Sequence, residues 1–142
     1  MGARRKGREL ALQALYQVDL TGGEPQRVVA EFWRDCDATG SARAFGEELV
    51  GGVLAHRERI DALIAASCEH WRLERLSHVD LNVLRVATYE LFCRRDVPAS
   101  VVIDEAIEIA RRFGAEESPV FVNGVLDQVA TTLGVKERQG VA

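Results

Sequence analysis

Ser118-Pro119-Val120-Phe121-Val122-Asn123-Gly124-Val125-Leu126-Asp127-Gln128-Val129-Ala130-Thr131-Thr132-Leu133-Gly134 is the stretch that decides the fold class. Ser118 has a side-chain oxygen that can accept an orphan N–H at a helix start. Pro119 suits the first helical position, because the N–H it lacks would be unpaired there. Gly134 can take the left-handed conformation that closes a helix. Between these signals Val122, Leu126, Val129 and Leu133 recur at three- and four-residue steps, one stripe of a 3.6-residue helix.

The same grammar extends upstream. Asp96-Val97-Pro98 breaks the chain, and residues 99–113 follow with Val102, Ala106, Ile109 and Phe113 in register and Gly114 as the stop. Asp104, Glu105, Glu108, Arg111 and Arg112 fall on the other side of that helix. A helix over about 79–94 turns Val83, Leu84, Ala87 and Leu91 inward, and a short one is expected around Trp71. Ser41 is the expected N-cap of a long helix over about 42–67, striped by Phe45, Leu49, Val53, Ile60, Leu63 and Ile64. Gly51 and Gly52 lie inside it, each costing about 1 kcal/mol against alanine; a bend or a close helix crossing explains them better than a phosphate loop. Pro25 opens a short helix that buries Val28, Val29, Phe32 and Trp33. The first helix, about 4–20, stacks Leu10, Ala14 and Val18 with Ala11 and Leu15 beside them. No segment alternates with period two. The expectation is one all-α domain over residues 1–142, with six or seven helices and flexible ends at 1–3 and 135–142.

A chain of 142 residues with 47% hydrophobic and 28% charged residues can bury a core without disulfides or metals. Cys36, Cys68 and Cys93 are few, odd in number and far apart, as free thiols of a reducing compartment are. No apolar run approaches the roughly 20 residues of a membrane span, and a cytoplasmic location is expected. No dinucleotide, P-loop, zinc-protease or serine-hydrolase signature is present, so neither catalysis nor a cofactor is expected. Cys68, His70 and His78 match no standard zinc spacing, and a core thiol with surface histidines is the better reading.

Charge is uneven. Net charge is −4, yet residues 1–8 hold Arg4, Arg5, Lys6 and Arg8 and none of the 22 acids. A helix N-terminus carries about half a positive charge, so cations crowded there oppose the dipole. A polyanion would relieve that, its phosphates meeting both side chains and free N–H groups; a solvated basic tail is the alternative. At 100° per residue Tyr16 lies within about 20° of Arg5, with Gln13 near the same face. Phe121, in the first turn of the last helix, and Asn123 could stack and read a base of single-stranded RNA. Otherwise Tyr16 and Phe121 are core-edge residues.

Several blocks resemble the NusB family. Arg4-Arg5-Lys6-Gly7-Arg8-Glu9-Leu10-Ala11-Leu12-Gln13-Ala14-Leu15-Tyr16 is similar to its arginine-rich first helix. Val79-Asp80-Leu81-Asn82-Val83-Leu84-Arg85, Tyr89-Glu90-Leu91, Asp96-Val97-Pro98, Asp104-Glu105-Ala106 and Ala110-Arg111-Arg112-Phe113-Gly114 continue in the family's order, up to the 118–127 block. The resemblance implies two packed helical subdomains. It also implies binding of boxA RNA together with the ribosomal protein NusE, on an RNA polymerase antitermination complex that serves ribosomal RNA operons. It places Arg4, Arg5, Lys6 and Arg8 on RNA phosphates, with Gln13, Tyr16, Phe121 and Asn123 on the RNA surface nearby. Tyr16, Asp80 and Glu117 fall at or near the partner surface, and a homodimer is compatible. Val120, Leu81, Gly7 and Asp104 depart from the family's frequent residues, with Gly7 expected to loosen the basic turn. A NusB-like domain also precedes some ribosomal RNA cytosine methyltransferases, but no cofactor-binding Gly-rich loop occurs here. A protein-binding helical adaptor without RNA affinity is the remaining alternative.

Overall fold

The computed structural model describes residues 2–68 and 72–136. Among them are seven α-helices: α1 Ala3–Thr21, α2 Pro25–Asp35, α3 Gly40–Ala55, α4 Arg57–Ala66, α5 His78–Cys93, α6 Ala99–Phe113 and α7 Ser118–Leu133. A single 3-10 turn spans Leu73–Arg75, and the described residues include no strand. The helix expected around Trp71, the possible ligand His70 and the tail from 137 onward lie outside the described residues. Val135 is buried and Lys136 pairs with Asp127, so the chain stays packed past the point where a flexible end was expected.

α1 crosses α3 closely and is flanked by α2; α6 and α7 form a hairpin against α5, and α4 lies on α5. α5 joins the two groups. Every residue from Leu81 through Leu91 is buried, including Asn82, Arg85, Thr88 and Glu90. A helix buried all round must satisfy its polar groups internally. Asn82 and Arg85 do so on Asp19 of α1, at 2.8 and 3.2 Å, and Arg85 also makes a paired contact with Asp61 of α4 at 2.9 and 3.0 Å.

The long helix expected over 42–67 is two helices. The break falls at His56, which has φ −115° and ψ 22° and leaves the helical region. Its ring stacks on Tyr89 at 6.4 Å and meets Phe92 edge-on at 5.3 Å. Gly52 lies one turn earlier, where a Cβ would sit 2.1 Å from Tyr89 Cε1. The close-packing reading therefore applies to Gly52, whereas Gly51 faces open space. Gly7 likewise is tight rather than loose: a Cβ there would lie 2.9 Å from Phe45 Cδ2 and 3.0 Å from the Ala42 carbonyl.

Three smaller expectations change. Ser41 lies inside α3, whose N-cap is Thr39. Ser118 is the first residue of α7, not its cap, and its hydroxyl accepts from the Ala115 N–H at 2.9 Å, tying the α6–α7 turn together. Phe113 is in register with the α6 stripe but 37% exposed, at the last position of that helix.

Candidate nucleic-acid interface

α1 has no acid in its first turn, as the sequence indicates. The cations are instead met from across the fold. Arg8 is 4% exposed and places Nε and Nη2 on the two oxygens of Glu90 at 2.9 and 2.8 Å. Arg5 makes the same paired contact with Glu105 of α6 at 2.9 and 2.6 Å. Arg4 reaches Asp96 at 3.3 Å, and Arg94 joins that carboxylate to Glu48. Arg4, Arg8 and Arg94 also surround the Phe45 ring at 5.3, 5.5 and 5.4 Å. The hydrogen bond from Arg5 holds the Glu105 carboxyl below its ordinary range, against the opposing effect of burial. The hydrogen bond from Arg94 depresses Asp96 in the same way.

These pairs correct the dipole argument. Crowded cations at a helix start need no external polyanion when three interior or edge carboxylates face them. Arg8 in particular is a buried ion-pair partner in this conformation, not a residue offered to phosphate. Arg4 and Arg5 remain partly exposed, and Lys6 is exposed with no acidic partner among the described residues.

Down α1 from this turn, Gln13 is exposed and Tyr16 half-buried. Lys6, Gln13 and Gln17 line one side of an open groove of about 730 Å³, whose other side is α2 with Glu31 and Asp35. Tyr16 meets His78 edge-on at 6.1 Å, which sets it beside the first turn of α5 and near Asp80. Asp80 donates its backbone N–H to Ser77 Oγ, and its Oδ1 is buried without a hydrogen-bond partner among the described residues. Glu117 is exposed at the N-cap of α7. Phe121 is half-buried against the core, while Asn123 is exposed. Two residues apart on a helix means 200° of rotation, so Phe121 and Asn123 do not share a face and one base cannot meet both. Asn123 instead shares its side of α7 with Val120, which is 78% exposed.

Two ion pairs, Arg5 with Glu105 and Glu9 with Arg112 at 2.8 Å, tie the start of α1 to α6 through long side chains. Arg111 and Arg112, to which the sequence gives no binding role, line an open recess together with Arg5 of the basic turn. Their position at a helix C-terminus already has a sufficient local explanation in the dipole, which is why no signal marks them. His70 lies outside the described residues, Cys68 is buried, and His78 is engaged with Asp19; among the described residues no His, Cys, Asp and Glu cluster could hold a metal. No helix among them is long and apolar enough to cross a membrane.

Fold and site together define a small all-α protein whose candidate site is an exposed, cation-rich helix edge rather than a cleft. The chain belongs to the NusB family, whose model matches residues 5–131. It is 48% identical to a transcription antitermination protein NusB of Sorangium cellulosum over 97% of this chain and 99% of that one. It is 50% identical to the protein of that name from Geobacter sulfurreducens, over 94% and 97%. Among solved structures it is similar to T. maritima NusB, with a TM-score of 0.80 and 40% identity over 90% of each chain. It is also similar to a chain from a complex of the antitermination factors NusB and NusE with double-stranded RNA, with a TM-score of 0.81 and 27% identity over 92% and 97%.

Proposed function

We propose that this protein is a transcription antitermination factor that binds boxA-type single-stranded RNA with the ribosomal protein NusE, acts as one cytoplasmic domain on the RNA polymerase antitermination complex, and catalyses no reaction. The observation that carries the reading is the outward strip of α1, where Arg5, Lys6, Gln13 and Tyr16 lie on neighbouring faces of one helix. Arg4, Arg5 and Lys6 supply the phosphate contacts, and Tyr16 and Phe121 the aromatic surfaces. Gln13 and Asn123 offer exposed amides to base edges, and Tyr16, Asp80 and Glu117 face NusE. Support comes from relatives that share about half their residues with this chain along its length and are named for antitermination, and from a family structure that holds NusE and RNA.

Filter binding with a boxA oligoribonucleotide, with and without NusE, tests it. The expected result is salt-dependent binding that weakens and flattens in slope when Arg4, Arg5 and Lys6 are replaced by alanine, by about 0.7 for each phosphate no longer held. A protein that binds NusE but no RNA under any of these conditions would instead be a protein-binding adaptor.

A further inference from the structure

We infer that the last turn of α6, Arg111-Arg112-Phe113, is a second RNA contact, taking phosphates on its two guanidiniums and a base on its ring. The inference rests on the RNA-binding reading above. Its first ground is position. The end of α6 shares a recess with Arg5 of the basic turn, is tied to α1 by two ion pairs, and leads directly into α7, where Phe121 stands.

The second ground is chemistry. Arg5, Arg111 and Arg112 together line an open recess of about 280 Å³. The side chains of Arg111 and Arg112 are 57% and 56% exposed. The acids that face the recess are Glu9 and Glu108, with Glu105 behind Arg5. Each is paired with one of the three arginines, whose side chains nonetheless stay partly exposed. Arg112 donates a single N–H from Nη1 to Glu9, its one hydrogen bond among the described residues. Its guanidinium carbon also lies 5.1 Å from the centre of the Phe113 ring. That contact and the Glu9 bond hold the cation in place before any ligand arrives, which lowers the ordering cost of binding.

The third ground is Phe113 itself. Its place in the α6 stripe should bury it, yet it is 37% exposed among arginines. An exposed ring beside cations is what single-stranded nucleic acid binders use: phosphates track the charge while bases stack on the ring.

The two kinds of contact have different salt signatures, which makes the inference testable. Binding of a boxA oligoribonucleotide, with NusE present, is measured across a salt series for the full chain. Arg111→Gln and Arg112→Gln should each flatten the slope of log affinity against log salt by about 0.7, and Phe113→Ala should lower affinity about fivefold or more with the slope unchanged. Arg112→Gln also unpairs the buried Glu9, so Arg111→Gln, whose partner Glu108 is exposed, is the variant that cannot be dismissed as misfolded. Glu108→Gln removes a carboxylate beside the same path and should tighten binding. If Arg4, Arg5 and Lys6 variants lose affinity while all four of these variants bind as wild type with an unchanged slope, the second contact is overturned and the RNA-binding reading stands. Failure of the wild-type protein to bind the RNA at all overturns both.

Discussion

Arg8→Ala should be a folding variant, not an RNA-binding variant. Its side chain is 5% exposed and the facing Glu90 side chain 1% exposed, at 2.8 Å. Removing one member of a buried ion pair costs about 3–5 kcal/mol, because the remaining charge keeps its desolvation penalty without its counter-ion. Unfolding entropy near 60 °C is about 2.1 cal/mol/K per residue, so a chain of 142 residues has about 0.3 kcal/mol/K and the loss corresponds to a fall in Tm of about 10–17 °C. The assay is thermal unfolding followed by far-UV circular dichroism, paired with an RNA salt titration at a temperature where both proteins are folded. The salt slope should match wild type. Replacing both partners by apolar residues of similar size, Arg8→Met with Glu90→Leu, should recover much of the lost Tm, since desolvation of the pair is then avoided. A variant that melts close to wild type but loses about 0.7 of the slope would refute the reasoning and make Arg8 a phosphate contact.

Gly51→Ala and Gly52→Ala should move stability in opposite directions in chemical denaturation. The first gains about 1 kcal/mol of helix propensity at an open site; the second loses about 1–3 kcal/mol or more by driving a methyl into Tyr89. The Glu105 carboxyl is held below its unfolded value of about 4.3, so the stability it contributes is present above that pH and lost as pH falls through the lower folded value. Tm measured against pH should therefore show Glu105→Gln below wild type at neutral pH, with the gap narrowing in acid. Phe121→Ala should weaken RNA binding about 5- to 150-fold. Because Phe121 is half-buried, its truncation should destabilise by less than the ~3–5 kcal/mol typical of a fully buried Phe; unchanged affinity with a large fall in Tm would make it core.

What could be read from the sequence was whatever is fixed within a few residues. Pro25, Gly114 and Gly134 mark helix ends because caps act over one turn, and the stripes of α1, α5, α6 and α7 lie where periodicity places them. The break at His56 was not legible, because the rings beside it, Tyr89 and Phe92, belong to α5. The same limit hid the fate of the basic arm. A local rule sees four cations at a helix start, but cannot see carboxylates brought from α5 and α6. Gly7 reads as loosening because its tight neighbour, Phe45, lies on α3. Phe113 fits the apolar period yet is exposed, since period alone does not say how far a covering neighbour extends.

The span of the α1 ion pairs bears on how the protein is made. Arg8 to Glu90, Arg5 to Glu105 and Arg112 to Glu9 close loops of 82, 100 and 103 residues. Bringing such distant positions together costs chain entropy that local helix formation does not repay, so these contacts form late. A ribosome that has released the basic helix must still deliver the chain through Glu105 before Arg4, Arg5 and Arg8 all have their partners. Until Glu90, Asp96 and Glu105 arrive, the cations at the start of α1 repel one another without their counter-ions. A product truncated before α6 would keep Glu90 for Arg8 and Asp96 for Arg4 but would lack Glu105 for Arg5 and Arg112 for Glu9. The full set of α1 ion pairs therefore depends on α6 having been made.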